Sequence, residues 1–455
     1  MSNENKMGVM PVNKLLINVS LPMMISMLVQ ALYNIVDSIF VAKISEDALT
    51  AVSLAFPIQT LIIAVGGGTG VGMNALLSKC LGEKKQDKAN RVAMNGIFLA
   101  IVSYLLFVLI GLFVVKPFFV SQVEDVNSDI YTYGVEYLSI VCICSFGIMG
   151  QFVFERLLQA TGKTFYTMLS QGAGAIINII LDPILIFGYF GMPAMGVAGA
   201  AVATVVGQIA SAGIAFYFNI SKNHEIQLSV KNFKIDWKII GRVYAVGIPS
   251  IIMQSIGSVM TYSMNRILIG FTSTATAVFG VYFKLQSFFF MPVFGLNNGL
   301  VPIIAYNFGA GKRSRMIKAI KCSMAYAFGF CCIGFLLFMF VPDKLFMLFD
   351  ASPEMLSIGV PALRIISLHY VLAWFCIISG TVFQALGNAV YSLIVSVARQ
   401  LVVLIPAAYI LAKLGGLSYV WWSFPIAELM SLVMSTFFLV IIYKKIISKV
   451  PDTMA

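Results

Sequence analysis

Carboxylates inside long apolar runs are the residues of this chain best placed to do chemistry. A charge in hydrocarbon is expensive and persists only where it has a partner or a task. Three stand out: Asp37, Asp182 and Glu428. Asp37 ends the stripe Gln30, Tyr33, Asn34, Asp37, spaced i, i+3, i+4, i+7 on one helical face. Asp182 follows Asn178 by four residues, so those two also share a face, and Thr204, Gln208 and Ser211 form a third stripe that can meet them. At ~1.5 Å per residue, Asp37 lies ~9 Å before Lys43, Asp182 ~9 Å before Gly188 and Thr204 ~12 Å past Gly196. All three then fall at one level, in the outer half of a membrane layer. Two carboxylates, an amide oxygen, a hydroxyl and a phenol make a hard, oxygen-rich site suited to a proton or Na⁺. The alternative is a hydrogen-bonded packing cluster, but packing rarely needs two acids.

Glu428 has Arg399 on the preceding apolar run as a potential partner; a structural ion pair explains it as well as a coupling site does. Arg266, Lys284 and Arg364 also fall inside apolar runs, where cations pair or snorkel. His369 reads as an interior histidine rather than a ligand. A further polar stripe, Gln254, Ser258, Thr261 and Asn265, is flanked by Met253, Met260 and Met264. Soft methionines beside amides suit the lining of a promiscuous cavity, so Gln254, Met260 and Asn265 join Gln30, Asn34 and Gln208 as expected cavity residues. Gly70-Val71-Gly72-Met73-Asn74-Ala75 imitates a dinucleotide glycine pattern but sits in an apolar run without a βαβ context. Gly162-Lys163-Thr164 lacks the first glycine of a phosphate loop. With two histidines and seven scattered cysteines, neither a metal cluster nor a disulfide framework is expected, and no enzymatic site or cofactor is implied.

These residues need elements to hold them. The chain is 60% hydrophobic and 11% charged, against about 45–50% and about 25% for soluble domains, so the bilayer is the solvent that suits it. Apolar runs between charged or Gly/Pro punctuation give twelve spans, at 15–41, 51–78, 92–115, 134–158, 164–187, 195–220, 241–270, 276–306, 316–341, 357–386, 391–412 and 417–443. The first is too long for a cleavable signal and is read as retained. With the N-terminus inside, 22 Lys and Arg, including Arg156 and Lys231, fall on the cytoplasmic side and four (Lys43, Lys116, Lys344, Lys413) on the other. That bias places both termini in the cytoplasm. It also accounts for the net charge of +11 without a nucleic-acid partner.

The two halves repeat at an offset near 226. Ser20-Leu21-Pro22 matches Gly247-Ile248-Pro249; Leu81-Gly82-Glu83-Lys84-Lys85 matches Phe308-Gly309-Ala310-Gly311-Lys312; Gln159-Ala160-Thr161-Gly162 matches Gln384-Ala385-Leu386-Gly387. Six spans per half is even, so the halves enter the membrane alike and form parallel repeats about an axis along the membrane normal. The expected fold is an all-α membrane protein with about twelve transmembrane helices in two pseudo-symmetric six-helix lobes around a central cleft. Residues 1–220 form the N-terminal lobe, 221–240 a cytoplasmic linker and 241–455 the C-terminal lobe.

Together these landmarks resemble the multidrug and toxic compound extrusion (MATE) family, over essentially the whole chain. The resemblance implies a V-shaped, two-lobed exporter of cationic, lipophilic compounds in a cell membrane, driven by H⁺ or Na⁺. In the DinF-like branch the first lobe carries an Asp and a Tyr on span 1, an Asn and an Asp on span 5 and a Thr on span 6. Tyr33, Asp37, Asn178, Asp182 and Thr204 match those positions. The acids that the NorM-like branch places on spans 7 and 10 are missing; span 7 offers Gln254, and span 10 Arg364 and His369. The resemblance thus favours a first-lobe cation site. It also brings a rival, the lipid-linked sugar flippases, which place cations in the cavity to hold a pyrophosphate. The cavity-facing charges placed here are acidic, which favours cationic cargo; a passive channel has no need of a buried acid pair. The expected partners are small-molecule cargo and lipid, with the chain as a monomer.

Overall fold

The computed structural model describes residues 5–123, 125–230, 233–349 and 351–452. Helices long and apolar enough to cross a membrane are Val12–Ala42 (span 1), Glu46–Gly82 (2), Gln86–Phe113 (3), Thr164–Phe187 (5), Val197–Ser221 (6), Trp237–Ile269 (7), Ser273–Gly309 (8), Arg313–Phe340 (9), Ala389–Gly415 (11) and Leu417–Lys449 (12). Two bent pairs complete the set: Asp129–Ile143 with Phe146–Ala160 (span 4, 44°) and Pro353–Ser367 with Tyr370–Ala385 (span 10, 51°). The chain is therefore a multi-pass membrane protein of up to twelve spans. Lys231, one of the 22 cations counted above, lies outside the described residues.

Local chemistry repeats with the halves. Ser45 caps span 2 by accepting from Ala48 N (3.0 Å), and Thr272 caps span 8 by accepting from Thr274 N (2.9 Å). Gly162 and Gly387, the glycines of the Gln-Ala-x-Gly landmarks, both adopt φ +79°. Each terminates its helix in the left-handed conformation that glycine adopts without strain. The next residue, Lys163 or Asn388, donates back to Leu158 O (2.7 Å) or Phe383 O (2.8 Å).

Spans 4 and 10, each expected as one unbroken helix from the apolar pattern, are broken and bent. Neither break has a proline at it; Pro361 of span 10 lies two turns before the bend. At the breaks, i→i+3 bonds replace helical ones: Ser145 N to Cys142 O, and His369 N to Ile366 O. His369 Nδ1 lies 2.6 Å from the same Ile366 carbonyl, and its ring packs on Phe290, Tyr370 and Phe424. It is the interior histidine expected. Two short helices, Val115–Val120 and Pro342–Met347, follow spans 3 and 9; the sequence reading has no element there.

Between lobes, span 1 packs on span 8 and span 2 on spans 7 and 8. Glycines set the approach. A Cβ on Gly72 would collide with the Val243 carbonyl, and one on Gly299 with Ser20; Gly82 lies against Tyr306 O and Gly309 against Lys79 O. The last two are the repeat landmarks after spans 2 and 8, and each lies against the backbone of the other's span. On this same face, which carries both termini, residues 5–10 bridge the lobes. Asn5 donates to Thr161 O (3.1 Å) and to the Glu225 carboxylate. Arg315 donates to Met10 O (2.6 Å), and Asn307 to Met7 O (3.1 Å). Burial pushes the Glu225 carboxyl up, while Lys163 pulls it down.

The close approach has a direct test. Gly82→Ala and Gly309→Ala should each cost about 1–3 kcal/mol, because the opposing backbone must move. Gly172→Ala, with open space around it, should be neutral or stabilising by about 0.5–1 kcal/mol. Melting of the purified proteins in detergent reads the difference, and equal midpoints for all three would contradict the backbone contact.

Candidate functional site

Spans 1, 5 and 6 pack side by side in the first lobe and bring the sequence-selected residues together. Asn178 Nδ2 donates to Thr204 Oγ1 (3.3 Å). Asp182 is fully buried, and Asn178 is 2% exposed. Asp37 is half-buried and lies within electrostatic range of Asp182, Tyr33 and Tyr137. Four acceptor oxygens here, both of Asp182 and one each of Asp37 and Asn178, are buried without a hydrogen bond from any described residue. Acceptors with no donor are costly, so the cluster has the chemistry of a site for a proton or a hard cation: all its donors to such an ion are oxygens.

Tyr137, on the first half of span 4, was not selected from the sequence. Its hydroxyl accepts from Gln59 Nε2 (2.9 Å) on span 2, and it is 3% exposed beside the acid pair. The only sequence signal was a tyrosine one turn after the start of an apolar run, which is common.

Two cavities lie in this part of the molecule; the smaller reaches the cluster at Tyr33, Asn178 and Thr204, and Asp37 and Asp182 line neither. The larger, about 420 Å³, lies between the lobes and is lined by Gln30 of span 1 and Gln254 of span 7, with Phe152, Asn298, Gln384 and Arg399. The smaller, about 140 Å³, lies within the first lobe and is lined by Gln30, Tyr33, Asn34, Asn178, Thr204 and Gln208. Of the expected cavity residues, Met260 and Asn265 line neither cavity. Asn265 shares the face of Gln254 but lies ~16 Å farther along the helix, beyond the depth of the cavity. Met260 points about 120° away from Gln254 and packs against the hydrophobic core instead.

A second correction concerns charge. Arg156 is not the loop cation expected, and the buried Glu155 adds a fourth carboxylate to the three expected inside the membrane. Arg156 is 9% exposed and lines both cavities, and Glu155, 2% exposed, lines the smaller one. Arg399 lines the larger. The charged residues of the larger cavity are thus both arginines, the smaller is of mixed sign, and the expected acids Asp37 and Asp182 stand behind the walls rather than in them. Glu155 and Arg156 look like a self-neutralising pair at a helix end, yet adjacent helical residues do not face each other. The signal that could have found Glu155 is the amide stripe Gln151, Glu155, Gln159 at spacing i, i+4, i+8.

Glu428 and Arg399 do pair, at 3.1 Å, with Glu428 buried and the Arg399 side chain about a third exposed. Arg399 sits in a π-helical stretch, Ala398–Leu404, a distortion frequent at functional sites. The other in-span cations, Arg266, Lys284 and Arg364, are exposed; Arg364 donates to Met339 O (3.1 Å).

Comparison with known proteins follows the same architecture. The MatE family model matches residues 22–184 and 249–410, two stretches that start 227 residues apart (22 to 249). A multidrug export protein, MepA, of Staphylococcus haemolyticus is 30% identical over 422 residues, covering 91% of this chain and 90% of that protein. Among solved structures, an outward-facing multidrug resistance MATE family transporter of the MOP superfamily superposes with TM-score 0.90 at 24% identity, covering 99% of this chain and 100% of that one. A MOP superfamily transporter from Pyrococcus furiosus, described as having reverse binding-pocket polarity that suggests a different function, superposes with TM-score 0.89 at 24% identity, covering 99% of each chain.

Unsatisfied acids should behave differently from satisfied ones on substitution. Asp182→Asn, which removes a buried charge without a donor, should leave the melting midpoint unchanged or raise it. Asn178→Ala should lose about 1 kcal/mol with the bond to Thr204. A large loss in Asp182→Asn would mean that the acid is a structural hub. Arg399→Met should destabilise by more than the double variant Arg399→Met/Glu428→Gln, because the single change strands the buried Glu428. Additive losses in that cycle would show that the ion pair carries no coupling.

Proposed function

The chain belongs to the MatE family, and from that premise we propose that it is an antiporter exporting small, lipophilic, positively charged compounds in exchange for H⁺ or Na⁺. The observation that carries the proposal is the set of four donor-less acceptor oxygens at Asp37, Asn178 and Asp182. A proton or Na⁺ entering there supplies the missing positive charge. Tyr33 and Thr204 complete the shell. Cargo occupies the larger cavity, whose volume of about 420 Å³ suits a drug-like molecule, and extends into the smaller one, with Gln30, Asn34, Gln208 and Gln254 supplying adaptable polar contacts. The lobes 1–220 and 241–455, joined by 221–240, rock about the cleft. The Lys and Arg bias places both termini in the cytoplasm, and the chain works as a monomer without a resident cofactor.

Exchange follows from electrostatics. An ionised acid pair in low-dielectric surroundings behind the wall of the smaller cavity attracts a cationic cargo. Protonating the pair, or filling it with Na⁺, removes that attraction. Linkage makes the effect reciprocal: cargo weakens cation binding by the same factor, about 5–150-fold for a coupling of ~1–3 kcal/mol.

A second reading, a flippase for lipid-linked saccharides, is favoured by one feature, the presence of Arg156 and Arg399 in the cavity walls. Against it, Arg399 is tied to Glu428, and the acid pair has no use in holding a pyrophosphate.

Proteoliposomes loaded with a quaternary ammonium dye should release it faster under an imposed pH gradient or an imposed Na⁺ gradient; whichever one acts names the coupling ion. Asp37→Asn should abolish that acceleration while the protein still inserts and binds dye. In Na⁺-free buffer, the wild-type protein should bind the dye more weakly as pH falls through the titration of the pair, and Asp37→Asn should flatten the curve. Gradient-driven release by Asp37→Asn, or dye binding that strengthens on acidification, would overturn the coupling role.

A further inference from the structure

Glu155 and Arg156 are both at least nine-tenths buried, both face the cavities, and neither has an ion-pair partner within 4 Å among the described residues. The two feel each other's charge through space, but the side-chain hydrogen bonds that hold each come from neutral groups. The Glu155 carboxylate accepts from Gln171 Nε2 (2.6 Å) and Ser211 Oγ (3.2 Å), with Gln151 also hydrogen-bonded to it. Arg156 Nη1 donates to Gln159 Oε1 (2.8 Å) and, across the lobe boundary, to Asn298 Oδ1 (3.0 Å). The Arg156 stem lies over Gly70, where a Cβ would meet its Cγ at 2.8 Å; the glycine makes room for it. Arg399 and Glu428 show the contrast, since they put their charged heads together at 3.1 Å.

Neutral partners orient a buried charge without cancelling it. A guanidinium carries five donors, so two bonds from Nη1 leave others for a ligand. Charges buried and left uncancelled at a cavity wall are costly unless something charged arrives to meet them. Because adjacent helical positions diverge by about 100°, the two heads address different places: Glu155 the smaller cavity, Arg156 the junction of the two. We propose that Glu155 and Arg156 form a cargo subsite for molecules carrying both charges, with an ammonium- or amidinium-type cation at Glu155 and a carboxylate-type anion at Arg156. This rests on the reading that the cavities hold cargo, and it narrows the class from cations to zwitterions.

A matched pair of dyes tests it. Rhodamine 110 and its methyl ester, rhodamine 123, share one cationic ring system and differ in a free carboxylate. Fluorescence polarisation with the purified wild-type protein at neutral pH should show the acid bound on the order of tenfold tighter than the ester, the range of a charge-assisted hydrogen bond. Arg156→Gln should erase that preference, and Arg156→Lys should keep part of it. Glu155→Gln should weaken both dyes by a similar factor. Equal wild-type affinities overturn the proposal even if no variant folds, as does Arg156→Gln weakening both dyes alike. Unchanged binding in Glu155→Gln removes the cation half. The measurement uses no ion gradient, so a failure of gradient-driven export leaves it standing, and the loss of the acid preference leaves export untouched.

Discussion

Spans 2 and 8 reach each other at Gly82 and Gly309, where each glycine lies against a backbone carbonyl of the opposite span. The contact closes the face that carries the termini, and residues 5–10 tie the lobes together there through Asn5, Met7 and Met10. Gly72 against Val243 and Gly299 against Ser20 extend the approach toward mid-membrane. Without a hydrophobic force between helices in lipid, small residues and close backbones hold such an interface. Farther along, Gln30 and Gln254 are exposed and line the space between lobes. The close contact at one face therefore positions the polar cavity that the remaining residues serve.

Three sets of buried charge around that cavity are balanced in three ways. Arg399 and Glu428 neutralise each other. Glu155 and Arg156 are oriented by amides and a serine hydroxyl. Asp37, Asn178 and Asp182 leave four acceptor oxygens without a hydrogen bond from any described residue. The least satisfied set is the one suited to a mobile ion, because an ion that must leave cannot be replaced by a permanent partner. A protein gives up stability at such a place in return for function.

Much of this was legible in the sequence. Hydropathy gave the spans, and the Gly82/Gly309 and Gly162/Gly387 landmarks gave the repeat, because each glycine answers to a backbone demand that no side chain can meet. The i, i+3, i+4, i+7 stripe on span 1 and the Asn178–Asp182 spacing were readable because helical faces follow from period alone. What spacing cannot carry is which neighbour a face meets. Met260 and Asn265 failed on angle and on depth along span 7. Tyr137 reaches the acid pair from the first half of span 4, which bends farther on at a break that no proline announces. Glu155 and Arg156 were misplaced for a related reason: two opposite charges at the end of an apolar run resemble a solvated helix terminus until packing shows them inside.

Reciprocity offers the most direct measurement of cation-coupled exchange. In proteoliposomes with no initial pH or Na⁺ gradient, an outward gradient of cationic cargo should drive H⁺ or Na⁺ inward, against its own rising concentration. An internal pH-sensitive or Na⁺-sensitive dye would follow it, and Asp37→Asn should abolish the signal. Cargo that runs down its gradient through the wild-type protein with no counter-movement of either cation would contradict antiport and mark the cleft as a passive path.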